Sequence, residues 1–178
     1  MQAYITTVFF SGLAEVRQFL DQLKLKRCPH CRRAGFLIRN GRAYGYAATG
    51  SAQVIRAQRI LCSNRHRRQG CGRTVRLVLA TLLHGSMVSA LTLWAFFCHK
   101  LHATPAPTPS CGAHWWRRLR AAQSYLRGLL SRIRPPPSAE PGSDPIRETL
   151  RHLEAAFASD PCPIAAFQLH FQKPFFPR

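Results

Sequence analysis

Four cysteines in two groups restrict this chain more than any other feature. The first group is R-C-P-H-C, ending at Cys31, and the second is C-S-N-R-H-R-R-Q-G-C, from Cys62 to Cys71. Thiolates are soft donors that favour zinc, and four of them complete a closed tetrahedral shell. A C-x2-C pair can set two sulfurs on one ion from a single tight turn, and Pro29 fixes one φ angle inside that turn. The spacing therefore predicts one structural Zn2+ held by Cys28, Cys31, Cys62 and Cys71, in a zinc ribbon: two knuckles, each at the end of a β-hairpin, clamped by one metal. The second group is C-x8-C where a ribbon usually has C-x2-C. His66 inside it is an alternative ligand, as C-x3-H, and free cysteines in a reducing compartment are the remaining reading.

At 178 residues there is room for one domain with a satellite, and a small core gains from a metal staple. The formal net charge is +19. The acids are placed unevenly: between Gln22 and Ala139 there is no Asp or Glu, while 21 of the 26 Lys and Arg lie there. Four thiolates on Zn2+ lower the charge only to about +17. Such a surface attracts a polyanion: DNA, RNA or an anionic membrane. Nucleic acid is the favoured partner, because solubility alone does not require so long an acid-free run. Seven cysteines leave Cys98, Cys111 and Cys162 outside the metal set. With no basic n-region ahead of Phe10, the expected location is the cytoplasm.

The order of features around the cysteines resembles the zinc-ribbon region at the N-terminus of bacterial insertion-sequence transposases. That family has an acidic-containing amphipathic helix, a CPxC knuckle, a hairpin with a Gly, a second knuckle near CGRTF, a short strand and a helix with a Leu–Trp pair. Here the matching stretches are E-V-R-Q-F-L-D-Q-L, C-P-H-C, R-N-G-R, C-G-R-T-V and L-T-L-W-A-F-F, over roughly residues 11–98. The resemblance implies a ribbon that binds DNA ends, cut off before a catalytic domain that a separately encoded partner could replace. The chain departs from the family in the basic insertion of its second knuckle.

The expected fold is small α+β: a three-stranded antiparallel sheet flanked by amphipathic helices, with Pro-rich linkers and a partly disordered C-terminus. Residues 1–26 read as an arm and an amphipathic helix over Leu13–Leu25, capped at Ser11. Residues 27–80 read as the ribbon, with a hairpin turning at Asn40-Gly41, a loop over 47–53, and strands at Val54–Leu61 and Thr74–Leu79. Residues 81–103 hold a buried helix packing on the ribbon, from about Ser86 to His99 with a stripe of Val88, Leu91, Trp94 and Ala95. The uncharged run Leu77–Cys98 also has the length of a membrane span, but His84, Gly85, Ser86, Ser89 and Thr92 interrupt it. Residues 104–112 form a Pro-rich spacer. Residues 113–134 carry a basic amphipathic helix over Trp115–Ile133. Residues 135–178 give a linker, a short helix started by Asp144 and Pro145, and a tail.

Arg65, Arg67 and Arg68 lie in a loop pinned at both ends by metal ligands, which lowers the entropy lost when they bind phosphate. Arg32, Arg33 and Arg73 flank the knuckles, and Arg117, Arg118 and Arg120 line the polar face of the basic helix. These nine arginines are the candidate nucleic-acid contacts. No catalytic residues are expected. Strand-transfer chemistry needs clustered carboxylates around two metals, and the seven acids split between the first helix and the C-terminal region. A nucleophile drawn from Cys98 with His99 or His102 rests on spacing alone.

Overall fold

The structure, a computed structural model, describes residues 6–46, 53–83, 88–102, 112–138 and 142–177. The chain divides into two compact units, Met1–Leu82 and Leu83–Arg178. The first contains β1 (Thr6–Phe10), α1 (Leu13–Asp21), β2 (Leu37–Tyr46), β3 (Gln53–Cys62) and β4 (Thr74–Leu79).

The sheet has four strands in the order β1-β4-β3-β2. β2 with β3 and β3 with β4 are antiparallel, while β1 lies parallel to β4 with Thr6 opposite Val75 and Phe10 opposite Leu79. The expected three-stranded antiparallel sheet is thus a four-stranded mixed one. The β-rich residues ahead of the first helix suit either a strand or a loose arm, and from Thr6 to Phe10 they form a strand. Its apolar run of Val8, Phe9 and Phe10 turns β4 into an inner strand, on which both Leu77 and Val78 are buried. A strand covered on both faces loses its simple polar–apolar alternation.

The Asn40-Gly41 pair does not turn the chain. β2 continues through it to Tyr46, and the register steps from Arg39 opposite Ile60 to Arg42 opposite Gln58. Two residues therefore face one, and Gly41 takes the left-handed φ of 81° that such a bulge requires. The turn joining β2 and β3 falls within 47–52, outside the described residues. α1 also starts differently. Gly12 is its N-cap and makes no side-chain bond, while the Ser11 backbone N–H donates to Glu15 Oε2 at 2.9 Å. The helix ends at Asp21 and turns carry the chain on to Lys26. Val16 and Leu23 join Phe10, Leu37, Ile60, Val75 and Leu77 in the core of this unit, together with Cys28 and Cys62.

The second unit is helical: α2 (Ala90–His102), α3 (Gly112–Leu130), α4 (Pro145–Ala156) and α5 (Pro163–Phe171). α2 starts and ends later than the sequence predicts. Its buried face is Ala90, Leu93, Trp94, Phe96, Phe97 and Leu101, so Leu91 and Ala95 fall outside the stripe. These residues share one core with α3, α4 and α5. α3 buries Trp115, Leu119, Ala122, Leu126, Leu129 and Leu130, but it ends at Leu130, short of the expected Ile133, which is exposed. α4 opens as expected, with the Ile146 N–H donating to Asp144 Oδ1 at 3.0 Å and Pro145 in the first turn.

The tail expected to be disordered is packed. Ile164, Phe167 and Phe175 are fully buried in the helical core. Gln168 Oε1 accepts the Phe175 N–H at 3.1 Å, and the Tyr125 hydroxyl donates to Pro174 O at 2.8 Å. Arg118 covers Phe176 with its guanidinium 4.5 Å from the ring centre. Burying that much aromatic surface offsets the cost of ordering a segment whose prolines spoil helical periodicity. Phe175→Ala is expected to destabilise the helical unit by ~3–5 kcal/mol, whereas Leu91→Ala, at an exposed site, is expected to stay within ~0.5 kcal/mol. Urea unfolding followed by tryptophan fluorescence checks both, since all three tryptophans lie in this unit.

Candidate metal centre

The two cysteine groups are built on the same local geometry. In the first, the Arg32 N–H donates to Cys28 O at 2.8 Å and the Cys28 N–H donates to Arg33 O at 2.9 Å. In the second, the Gly72 N–H donates to Cys62 O at 2.8 Å and the Cys62 N–H donates to Arg73 O at 3.0 Å. The residue after the second cysteine is left-handed in each, Arg32 with φ 62° and Gly72 with φ 71°. Arg33 follows Cys28 by five positions and Arg73 follows Cys62 by eleven, so the second knuckle carries six extra residues. They are Asn64 to Gln69. The Gly70 N–H closes their base on Ser63 O at 3.1 Å. The unusual C-x8-C spacing is therefore a C-x2-C knuckle with a six-residue loop extruded from its turn.

Gly70 makes that closure possible. A Cβ there would overlap the Ser63 carbonyl and the Cys62 carbonyl carbon. Backbone cannot move aside as a flexible side chain can, so this close approach requires glycine.

The four sulfurs converge, with every pair within 4.8 Å. Cys28 Sγ lies 3.7 Å from Cys71 Sγ, and Cys31 Sγ lies 3.7 Å from Cys62 Sγ. Backbone N–H groups point at them: His30 to Cys28 Sγ at 3.4 Å and Cys71 to Cys62 Sγ at 3.3 Å. Cys28 and Cys62 are fully buried, and Cys31 and Cys71 are half-buried. This set could hold a metal ion. His66 is not part of it: it sits exposed in the extruded loop.

Burial governs the thiols without metal. It pushes Cys62 up to about 12 and raises Cys28 as well, while the Arg33 N–H pulls Cys31 down to about 7. A bound cation reverses the order, because coordinated thiols are deprotonated.

The arginines around the centre divide into two kinds. Two brace the knuckles against each other: Arg33 NH1 donates to Gln69 O at 2.8 Å, and Arg73 NH1 lies 3.4 Å from His30 Nδ1. Arg32, Arg65, Arg67 and Arg68 are exposed. The loop bearing the last three is shaped from within, by the Arg68 N–H on Arg65 O at 3.1 Å and the Arg65 N–H on Ser63 Oγ at 3.3 Å. On α3, Arg117 and Arg120 are exposed, while Arg118 is engaged with Phe176. α3 also carries Arg127. It is bound to Glu148 at 3.0 Å and Thr149 at 2.8 Å and so belongs to the packing of α3 on α4.

No protein-family model, no curated protein and no solved structure matches this chain.

Two outcomes are expected. Gly70→Ala opens the base of the loop, separates Cys71 from Cys62, and weakens metal binding in a competition titration with a chromophoric chelator. Metal uptake at pH 7 releases at least the two protons of Cys28 and Cys62. Both thiols ordinarily keep their protons there, so affinity falls as the pH is lowered and the proton competes better. An indicator dye in weak buffer reads the protons.

Proposed function

We propose that this chain is a non-catalytic zinc-ribbon protein that binds DNA through backbone phosphates. One structural Zn2+ sits on Cys28, Cys31, Cys62 and Cys71, and the arginines around the second knuckle grip the duplex. The donor set supports zinc: four sulfurs at mutual distances of a few ångströms suit a tetrahedral, redox-inert ion. Antiparallel pairing of β2, β3 and β4 supports the ribbon, with β1 as an addition to it.

The observation that carries the reading is the extruded loop. Arg65, Arg67 and Arg68 stand exposed on six residues whose two ends are anchored by adjacent metal ligands. A loop held at its base loses little freedom on binding, and the sequence from Gln22 to Ala139 that carries it has no Asp or Glu to compete for its arginines. Arginine contacts of this kind position a protein on the backbone without reading bases. Arg32 beside the first knuckle extends the same basic surface. Arg33 and Arg73 contribute charge while bracing the knuckles, and Arg117 and Arg120 offer further contacts from α3. The sequence order around the cysteines, similar to the N-terminal region of insertion-sequence transposases, favours DNA over other polyanions.

The acids support a non-catalytic role. Glu15 accepts the Ser11 N–H, Asp21 pairs with Arg39 at 3.4 Å, and Asp144 caps α4. Glu148 is held by Ser143 and Arg127, and Glu154 faces His102. Among the described residues, the groups of three or more ligating side chains are the four cysteines and the set Cys98, His102 and Glu154, and neither is a carboxylate cluster of the kind that strand transfer uses. No helix among the described residues is long and apolar enough to cross a bilayer.

The test is a salt series of DNA binding by fluorescence anisotropy, on the wild type and on Arg65→Ala, Arg67→Ala and Arg68→Ala combined. Wild-type affinity is expected to fall steeply with salt. The triple variant is expected to lower the slope of log K against log salt by ~0.9 for each phosphate that an arginine no longer neutralises. Stripping zinc is expected to abolish binding together with the fold of the sheet unit. A wild-type affinity that salt leaves unchanged, or a triple variant with an unaltered slope, counts against the loop as the contact.

A further inference from the structure

A second group of metal-ligating side chains lies in the helical unit, where the proposed DNA contact makes no use of it. Cys98 and His102 are one turn apart on α2 and so share a face of that helix. Glu154 projects from α4, and His102 Nε2 lies 3.5 Å from Glu154 Oε1. The Cys98 sulfur, a His102 ring nitrogen and a Glu154 oxygen all fall within 4.8 Å of one another. We propose that these three residues form a second metal site, which takes a zinc ion at a position distinct from the four-cysteine centre.

The scaffold is fixed. On α2 the neighbours Phe97 and Leu101 are buried, and on α4 Leu150, Leu153 and Phe157 are buried, all in one core. The backbones that carry the ligands are therefore packed in place, and little order remains to be gained when an ion arrives. The ligands themselves sit at the rim. Cys98 is half-buried, while the His102 and Glu154 side chains are 55% and 42% exposed, so an ion can enter from solvent. A simple His–Glu ion pair accounts for two of these groups, and packing against the core accounts for burying Cys98 but not for its sulfur lying within ligand distance of both.

The chemistry differs from that of the first centre. One thiolate, one imidazole and one carboxylate are each ordinary zinc donors, and the mixture matches that ion better than Mg2+ or Ca2+, which take oxygen ligands. Four sulfurs close a tetrahedral shell. Three ligands leave one position to water or to an added ligand. The site would thus be a weaker, exchangeable one.

The experiment uses the full chain, kept reduced, stripped of metal and titrated with zinc in a calorimeter. Cys28→Ser, Cys98→Ser, His102→Ala and Glu154→Gln are titrated beside it, with circular dichroism confirming that each helical unit stays folded. About two equivalents are expected in the wild type. The three α2 and α4 variants should each weaken the second equivalent by more than the ~10–100-fold cost of losing an outer-shell partner, and leave the first unchanged. Co2+ loading gives an independent readout: the cobalt–thiolate charge-transfer band of the second equivalent should vanish in Cys98→Ser. A wild type that saturates at about one equivalent, with Cys28→Ser binding none, overturns this site and leaves the four-cysteine centre standing. Retention of one equivalent by Cys28→Ser, lost in His102→Ala, supports the site even if the first centre fails.

Discussion

The approach of four sulfurs to within 4.8 Å of one another is the constraint on which the sheet unit depends. It joins a turn near the start of that unit to a turn between β3 and β4, more than thirty residues later. Two of the four cysteines are also core residues, packed with Val16, Leu37, Ile60 and Val75. A metal held by these cysteines would therefore complete the core and not merely attach to a finished one. An apolar cluster of this size would be marginal alone, and the energy of coordination counts directly as folding energy in such a domain. The two bracing arginines, Arg33 on Gln69 and Arg73 on His30, hold the same two turns together from outside.

The helical unit is stabilised differently. Its core draws aromatic rings from α2, α3, α5 and the residues after α5, in contacts such as Phe96 on Trp115 and Phe167 on Phe175. Its cohesion comes from packed rings, where the sheet unit gathers four sulfurs.

What the sequence made legible was local. The cysteines, the Thr74–Leu79 strand, the α3 stripe and the Asp144-Pro145 start each carry their signal within a few residues. What it hid was decided over distance. Asn40-Gly41 has the composition of a hairpin turn, but the long pairing between β2 and β3, from Leu37 opposite Cys62 to Tyr46 opposite Gln53, outweighs it and leaves a bulge. The parallel place of β1 beside β4 has no signature in either strand. The tail looked structureless because prolines break its periodicity, and its phenylalanines find their place in a core built with α2, α3 and α4. At the candidate sites the pattern is similar. All four cysteines were readable from spacing, while the equivalence of the two knuckles needed their hydrogen bonds. Cys98 and His102 stood out as a pair; Glu154 could join them only through the packing of α4 on α2.

The closure of Gly70 on Ser63 separates the geometry of the metal from the length of what lies between them. Everything from Asn64 to Gln69 hangs outside the ring of hydrogen bonds that shapes the knuckle. Natural variation or an engineer could lengthen, shorten or replace that segment while the coordination sphere stays as it is. The second knuckle is in this sense a mounting: a rigid socket from which different short peptides could be displayed.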